Sequence, residues 1–190
     1  MLTYTSPDRN QSEAVRVLLN GPSMRATGYI VSMGELAYGA SYSVLTDVSP
    51  STTRLSVRCD NAEGERSLTV TRSANGPWLA GGPSGDSPMP QLQDATDIYL
   101  GGSAFAGSLA LRRLWLQRDS DDAVREATVT VASISLPSLA VKAVQHHGRI
   151  ESADDGGGRI AYSGPFGDRM IVVDKDGLIL EVEGLSRRLG

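Results

Sequence analysis

Cysteine and histidine are nearly absent from this chain of 190 residues, which contains one cysteine and two histidines. Cys59 alone cannot form an internal disulfide, and a metal site would lack further thiolate or imidazole ligands. His146 and His147 are neighbours, so on a strand they would point to opposite faces and could not share one metal ion or one substrate. We therefore expect no metal or other cofactor, a buried Cys59, and histidines at the surface or rim of the domain.

Basic residues are not in excess, because the chain has 18 Lys and Arg but 22 Asp and Glu, which gives a formal net charge of -4. A chain of this charge lacks the positive field that gathers phosphates, so nucleic acid is not an expected partner. Long hydrophobic runs are also missing, and none approaches the roughly 20 apolar residues of a membrane-spanning helix. The first residues lack the basic start and apolar stretch of a signal peptide. We expect no transmembrane segment and a cytoplasmic protein.

Short alternating segments are abundant, and 21 glycines and 9 prolines separate them. Arg54–Cys59 is the clearest, since its apolar residues fall on one face and its polar residues on the other. Similar segments are Glu13–Leu19, Thr27–Met33, Leu36–Thr46, Ser67–Thr71, Thr96–Leu100, Thr128–Leu136, Leu139–Gln145, Arg159–Ser163, Arg169–Val173 and Leu178–Val182. Together with the hairpin signal DKDG, this pattern predicts a mainly β fold built from antiparallel strands.

Some segments depart from simple alternation. One short helix is expected to begin at Ser108 as its N-cap and to continue through LALRRLWLQ. The Gly- and Pro-rich stretch 76–90 predicts a loop, a rim or a join. Within Thr128–Leu136 the alternation slips, which predicts a β-bulge near Ala132 and Ser133.

The chain length fits one domain spanning residues 1–190. If the stretch 76–90 is a join, it divides this domain into halves of about 12–90 and 91–188. Thr71–Trp78 and Val172–Ile179 share a strand, a polar turn and a glycine at equivalent places, which hints at an internal duplication.

Catalytic motifs are not recognisable. No G-x-S-x-G nucleophile elbow occurs, and Gly101–Gly107 lacks the glycine spacing of a dinucleotide-binding loop. Asp154 and Asp155 precede three glycines, an arrangement typical of solvated turn residues. We therefore expect a protein that is not an enzyme.

Aromatic residues make up only 5% of the chain, so its two tryptophans stand out. Trp78 and Trp115 are predicted to be core or cavity elements, because they bury the most apolar surface. Arg112 and Arg113 lie within the helical pattern, where a guanidinium beside an apolar cavity could clamp an anionic or hydroxyl-rich head group. A solvated helix face is the more common position for such arginines and is the simpler expectation for both.

Several segments, taken in order, resemble the bacterial family of putative glycolipid-binding proteins. They are RATGYIVSM (25–33), VRCDNAEGERSLTVTR with NGPWLAGG (57–82), TDIYLGG leading to LALRRL (96–114), LPSLAVKAVQ (136–145) and DRMIVVDKDGLILEVEGLSRR (168–188). The resemblance implies a curved antiparallel sheet or a barrel-like pair of halves, similar in general design to bacterial lipid and lipoprotein carriers. We expect the short helix to cover one end of an apolar cavity.

The resemblance implies non-enzymatic binding of an amphipathic lipid or glycolipid in that cavity. The expected ligand-binding residues are Trp78, Tyr99, Arg112, Arg113, Trp115, Gln145 and Tyr162. One alternative is an enzyme acting on a small hydrophobic metabolite in the same cavity through Tyr99, Tyr162, Asp97 or a histidine. A second alternative is a structural or interaction domain whose core is filled.

Overall fold

The computed structural model describes residues 1–72, 76–82, 85–118, 125–165 and 167–190. The strands are β1 (Leu2–Ser6), β2 (Gln11–Asn20), β3 (Ser23–Ser32), β4 (Tyr38–Thr46), β5 (Thr52–Asn61), β6 (Gly64–Arg72), β7 (Trp78–Gly82), β8 (Gly85–Pro88), β9 (Asp97–Leu100), β10 (Glu126–Ile134), β11 (Val141–Asp154), β12 (Gly157–Ser163), β13 (Arg169–Asp174), β14 (Ile179–Val182) and β15 (Ser186–Leu189). The α-helix is α1 (Ser108–Leu116), and short 3₁₀ turns cover Pro7–Arg9, Pro90–Leu92 and Phe105–Gly107.

All fifteen strands belong to one sheet, in the order β8-β7-β6-β5-β4-β3-β2-β1-β15-β14-β13-β12-β11-β10-β9. Neighbours are antiparallel except β9 and β10, which are parallel. Near the middle of the order, β1 pairs with both β2 and β15, so the two ends of the chain lie side by side. The predicted mainly β, antiparallel fold is confirmed. Strands from both proposed halves of the chain contribute to this one sheet, and the division into halves stays a prediction.

The sheet curls until it overlaps itself, which confirms the expected curved sheet, but it does not close into a barrel. β8 and β9 remain the two edges, because β9 meets β5 through a side chain instead of a backbone ladder. The main-chain N–H of Thr52 donates to the buried Asp97 carboxylate at 3.1 Å. Beyond this contact, the Trp78 indole N–H donates to the carbonyl of Ala95 at 2.8 Å. β9 is therefore buried on both faces.

Alternation along the strands separates a filled inner face from a solvated outer face. In β3, for example, Ala26 and Ile30 are buried, whereas Tyr29 is 62% exposed. Gly28 also faces inward, where a Cβ atom would lie 2.3 Å from the Tyr42 ring. That ring needs the space over Gly28, and its hydroxyl thereby reaches the interior.

Helix α1 lies inside the curled sheet and is buried almost all round, so it does not simply cover one end of a cavity. A Cβ atom at Gly148 or Gly158 would collide with helix side chains, which shows how closely β11 and β12 approach α1. The predicted N-cap is wrong: Gly107 occupies that position, and the Ser108 hydroxyl accepts a hydrogen bond from Ile179 N–H at 3.0 Å. The serine ties the helix to the sheet instead of capping it.

Two further sequence expectations need correction. The stretch 76–90 is not simply a loop, since it contains β7 and β8, whose glycines and prolines are tolerated at a sheet edge. The predicted bulge near Ala132 and Ser133 is absent, because β10 pairs with β11 in unbroken register from Glu126 to Ile134. The alternation slips there because residues on both faces of the strand are buried.

The remaining differences concern segments that the sequence patterns left out. The strands β1 and β15 were not predicted, although they join the two ends of the chain. The proposed repeat Thr71–Trp78 includes residues 73–75, which lie outside the described residues. Cys59 is free and buried, as expected.

Candidate functional site

A buried carboxylate holds the segment before α1 in place. Glu13 of β2 is 2% exposed and accepts hydrogen bonds from the hydroxyls of Tyr42 and Ser103, each at 2.5 Å. Its second oxygen accepts the main-chain N–H of Phe105 at 3.1 Å. Burial raises the pKa of Glu13, and these donated bonds oppose the rise. The cluster therefore fixes the 3₁₀ turn that leads into the helix.

Above this cluster lies an open cavity of about 500 Å³, which we call the upper pocket. It lies where β2 and β4 begin and where β3, β9 and β10 end. Its lining residues are Arg9, Gln11, Ser32, Gly34, Glu35, Leu36, Tyr38, Tyr99, Gly101, Gly102, Ser135, Leu136, Pro137 and Pro165. The volume falls within the range of about 300–1,000 Å³ that is typical of small-molecule sites.

The upper pocket has a polar floor. The Gln11 amide N–H donates to the carbonyl of Gly102, and the Tyr38 hydroxyl donates to the Gln11 amide oxygen at 3.4 Å. Burial raises the pKa of Tyr38 to about 12, so this hydroxyl stays protonated at neutral pH. Burial also raises the pKa of Tyr99. Neutral hydroxyl and amide groups of this kind pair well with sugar hydroxyls, since both partners donate and accept.

The two helix arginines bind parts of the protein itself. Arg112 is buried, and its Nε donates to the carbonyl of Asp176 at 3.0 Å. Its Nη1 and Nη2 donate to the carbonyls of Pro22 and Gly21, at 2.5 and 3.4 Å. Arg112 therefore joins the β2–β3 turn to the β13–β14 turn, and the expected solvated face is wrong for this residue.

Arg113 lies beside the contact between β5 and β9. Its Nη2 is 3.4 Å from the Asp97 carboxylate and donates to the Thr96 hydroxyl at 2.9 Å. Its Nη1 donates to the Ser51 hydroxyl at 3.4 Å. Burial raises the pKa of Asp97 to about 6, although Arg113 and Thr52 favour the charged form.

This shifted pKa predicts a pH dependence of stability that Asp97→Asn removes. Between pH 3.8 and about 6 the folded chain keeps a proton on Asp97 that the unfolded chain has lost, so stability falls as pH rises through this window. We expect the unfolding free energy of the parent chain, relative to the variant, to fall by about 3 kcal/mol across the window. Urea denaturation at several pH values measures it. A difference that is flat with pH would contradict the assignment.

Tyr99, Tyr162 and His146, which the sequence named as possible site residues, lie close together beneath α1. The imidazole of His146 lies 5.3 Å from the Tyr99 ring and 5.5 Å from the Tyr162 ring, measured between centroids. The Tyr162 hydroxyl lies 3.3 Å from His146 Nδ1. The predicted rim position is wrong for His146, which is 2% exposed because it lies on the inner face of β11. Burial lowers its pKa to about 4, so the imidazole is neutral at pH 7.

His147 points the opposite way, as the strand pattern predicted. It lies at the surface, where its Nε2 is 3.2 Å from the Glu126 carboxylate. The turn residues Asp154 and Asp155 are exposed, as expected.

The seven residues predicted to bind ligand are not gathered in one place. Tyr99 lines the upper pocket, and Arg113 lines a smaller cavity beside α1. Trp78 and Trp115 are buried in the main core, and Gln145 is exposed on β11. None of the described cavities is lined by Trp78, Trp115, Gln145, Arg112 or Tyr162. A ligand-binding role for the seven stays a prediction.

Sequence patterns missed most of the upper pocket. Arg9, Gln11 and Tyr38 lie at strand ends that are far apart in the chain, so only the fold brings them together. One usable signal was Gln11, a polar residue that starts an alternating strand on its buried face.

No α-helix among the described residues has the length and apolar character needed to cross a bilayer. Within the same ranges, no group of three histidine, cysteine or acidic side chains is arranged to hold a metal ion.

Comparisons with known proteins give a fold relative and a family. The fold resembles the crystal structure of a DUF1089 family protein from Pseudomonas aeruginosa, with a TM-score of 0.74 and 21% identity over 93% of this chain and 92% of that chain. No curated protein matches the chain. The model of the family described as "Putative glycolipid-binding" matches residues 1–188. This match covers nearly the whole sequence, and the chain belongs to that family.

Proposed function

We propose that the protein binds an amphipathic glycolipid without chemically changing it, and that the head group occupies the upper pocket. The observation that carries the proposal is the pocket itself, about 500 Å³ with a polar floor and, beside the exposed Arg9 and Glu35, an apolar surface at its mouth, in a chain of this family. Gln11, Tyr38 and Gly102 supply hydrogen-bonding groups to the floor. These neutral groups suit a sugar better than a strongly charged head group.

The acyl chain of the ligand belongs at the mouth of the pocket. The interior of the sheet is filled by α1 and the core around it, which leaves little room for a long chain inside. Leu36, Leu136, Pro137 and Pro165 line the mouth and give an apolar surface. Leu36 is 72% exposed, so covering it with an acyl chain removes apolar area from water and favours binding.

Binding without turnover fits the positions of the histidines. His146 does not line the upper pocket, and His147 faces the Glu126 carboxylate at the surface. Glu35, the acidic residue that lines the pocket, is exposed to solvent. The groups that do line the floor suit positioning by hydrogen bonds.

Leu36→Ser tests the apolar mouth. With octyl glucoside below its micelle concentration, we expect the variant to bind about 5- to 10-fold more weakly, since part of the about 1.5–3 kcal/mol for burying a leucine is lost. Isothermal titration calorimetry measures the dissociation constant. Val48→Ser is the matched control, because Val48 is 77% exposed and does not line the pocket.

Three outcomes would contradict the proposal in whole or in part. If the parent chain binds no alkyl glycoside at all, the alternative of an interaction domain with a filled core replaces it. If mass spectrometry of the glycoside recovered after incubation shows a cleaved or modified product, the protein is an enzyme. Equal weakening by Leu36→Ser and Val48→Ser would place the acyl chain elsewhere.

A further inference from the structure

A second, smaller cavity of about 170 Å³ lies between α1 and the inner face of β10 and β11, and we call it the helix cavity. Leu111 and Leu114 form the helix side, and Ala127 and Val129 form part of the sheet side. The cavity is separate from the upper pocket, and the two share no lining residue. An engineered apolar cavity of about 150 Å³ in another protein binds benzene, so this space is large enough for one six-membered ring.

One buried polar atom distinguishes the helix cavity from an ordinary packing defect. His146 lines it, and its Nε2 has no hydrogen-bond partner among the described residues. Nδ1, on the other side of the ring, already lies near the Tyr162 hydroxyl. A buried nitrogen without a partner is unfavourable, and a ligand that pairs with it recovers part of the lost hydrogen-bond energy.

Water alone is a poor match for this space. A buried water molecule needs two to four polar partners, and the walls of the helix cavity are mainly aliphatic. Arg113 also lines the cavity, but both of its Nη atoms are engaged by Thr96, Asp97 and Ser51. Gln117 is exposed. Besides Gln117 at the exposed end of the cavity, His146 is thus the polar group that a ligand there would meet.

We propose that the helix cavity is a second ligand site, which takes a ring-sized apolar molecule carrying one hydroxyl, with His146 Nε2 as its polar contact. A hydroxyl both donates and accepts, so it pairs with Nε2 in either neutral tautomer of the imidazole. The apolar ring fills the space between the leucines of α1 and the strands. This site does not rest on the proposed glycolipid function, which concerns the upper pocket.

Phenol and toluene test the proposal, because they differ in the hydroxyl but hardly in size. In ¹⁵N-labelled full-length protein, we expect both probes to shift the amide signal of Gly148, which lines the helix cavity, with phenol binding at a dissociation constant on the order of 1 mM. His146→Leu should lower the ratio of the toluene to the phenol dissociation constant about 5- to 10-fold, the worth of one hydrogen bond. The difference in hydrophobicity between the probes affects this ratio equally in the parent and in the variant, so it cancels when the two ratios are compared.

A second variant decides the matter if His146→Leu does not fold. Ala127→Leu fills the cavity from the sheet side and should weaken binding of both probes more than 10-fold, by about 1.4 kcal/mol or more. Ala14→Leu, on another strand and outside the cavity, should leave both dissociation constants unchanged. The proposal fails if neither probe shifts Gly148, if the probe ratio survives His146→Leu, or if Ala127→Leu leaves binding intact.

Discussion

Glu13→Ala should lower the free energy of unfolding by about 3 kcal/mol or more, because three buried donors lose their shared acceptor at about 1–3 kcal/mol each. These donors are the hydroxyls of Tyr42 and Ser103 and the N–H of Phe105. All three donors are buried in the folded protein. Urea denaturation followed by circular dichroism measures the change.

Two comparisons make the Glu13 result specific. Glu13→Gln should lower the free energy of unfolding less than Glu13→Ala, because the glutamine amide oxygen still accepts some of these three hydrogen bonds. Glu63→Ala is the control on the surface, where Glu63 forms only an exposed pair with Arg66, and it should change stability by no more than about 0.5 kcal/mol. A Glu13→Ala variant as stable as Glu63→Ala would show that the cluster does not hold the 3₁₀ turn.

Trp115→Ala should lower the free energy of unfolding by about 3–5 kcal/mol, the usual cost of deleting a large aromatic side chain from a core. Trp115 is fully buried, and its indole N–H donates to the carbonyl of Lys175 at 3.0 Å. Its ring also occupies the space beside Gly158 and Gly177, where added Cβ atoms would lie 2.6 and 2.8 Å from it. Denaturant titration of the parent and variant gives the difference.

Trp115→Phe separates the structural role of the tryptophan from a role in binding. The variant keeps most of the packing, so it should stay folded, and it should bind octyl glucoside as the parent does because Trp115 does not line the upper pocket. Tyr29→Ala removes an aromatic ring that is 62% exposed and should change stability by no more than about 0.5 kcal/mol. A folded Trp115→Phe variant with weakened binding would restore Trp115 as a ligand-binding residue.

Local patterns predicted the strands well and their assembly poorly. Period-two alternation located most strands, because one face of a strand such as β5 is buried and the other solvated. The strands β9 and β10 were also located, but at β9 and at the end of β10 both faces are buried by overlap of the sheet, so alternation does not identify an inner face there. The overlap depends on Asp97 meeting Thr52 across 45 positions of the chain, and no local pattern contains such a contact.

The candidate site was less accessible to sequence than the fold. Arg112 stood out as a charged residue in an apolar helix, but sequence could not show that main-chain carbonyls occupy its donors. Tyr99, which was expected to bind ligand, lines the upper pocket, whereas Gln11 and Tyr38 were not identified because strand ends carry no strong pattern. The prediction for His146 was wrong, since the sequence gives no sign that a histidine is buried until its neighbours in the sheet are known.

Amide chemical shifts during an octyl glucoside titration test the central claim most directly. Gly34, Gly101 and Gly102 line the upper pocket and report on it through their own N–H groups. With the glycoside below its micelle concentration, we predict saturable shifts at these glycines and at Ser135, and no change at Gly158 or Gly177 beside Trp115. Shifts centred on Gly158 and Gly177, or no saturable shift anywhere, would contradict the claim that the upper pocket binds the glycolipid head group.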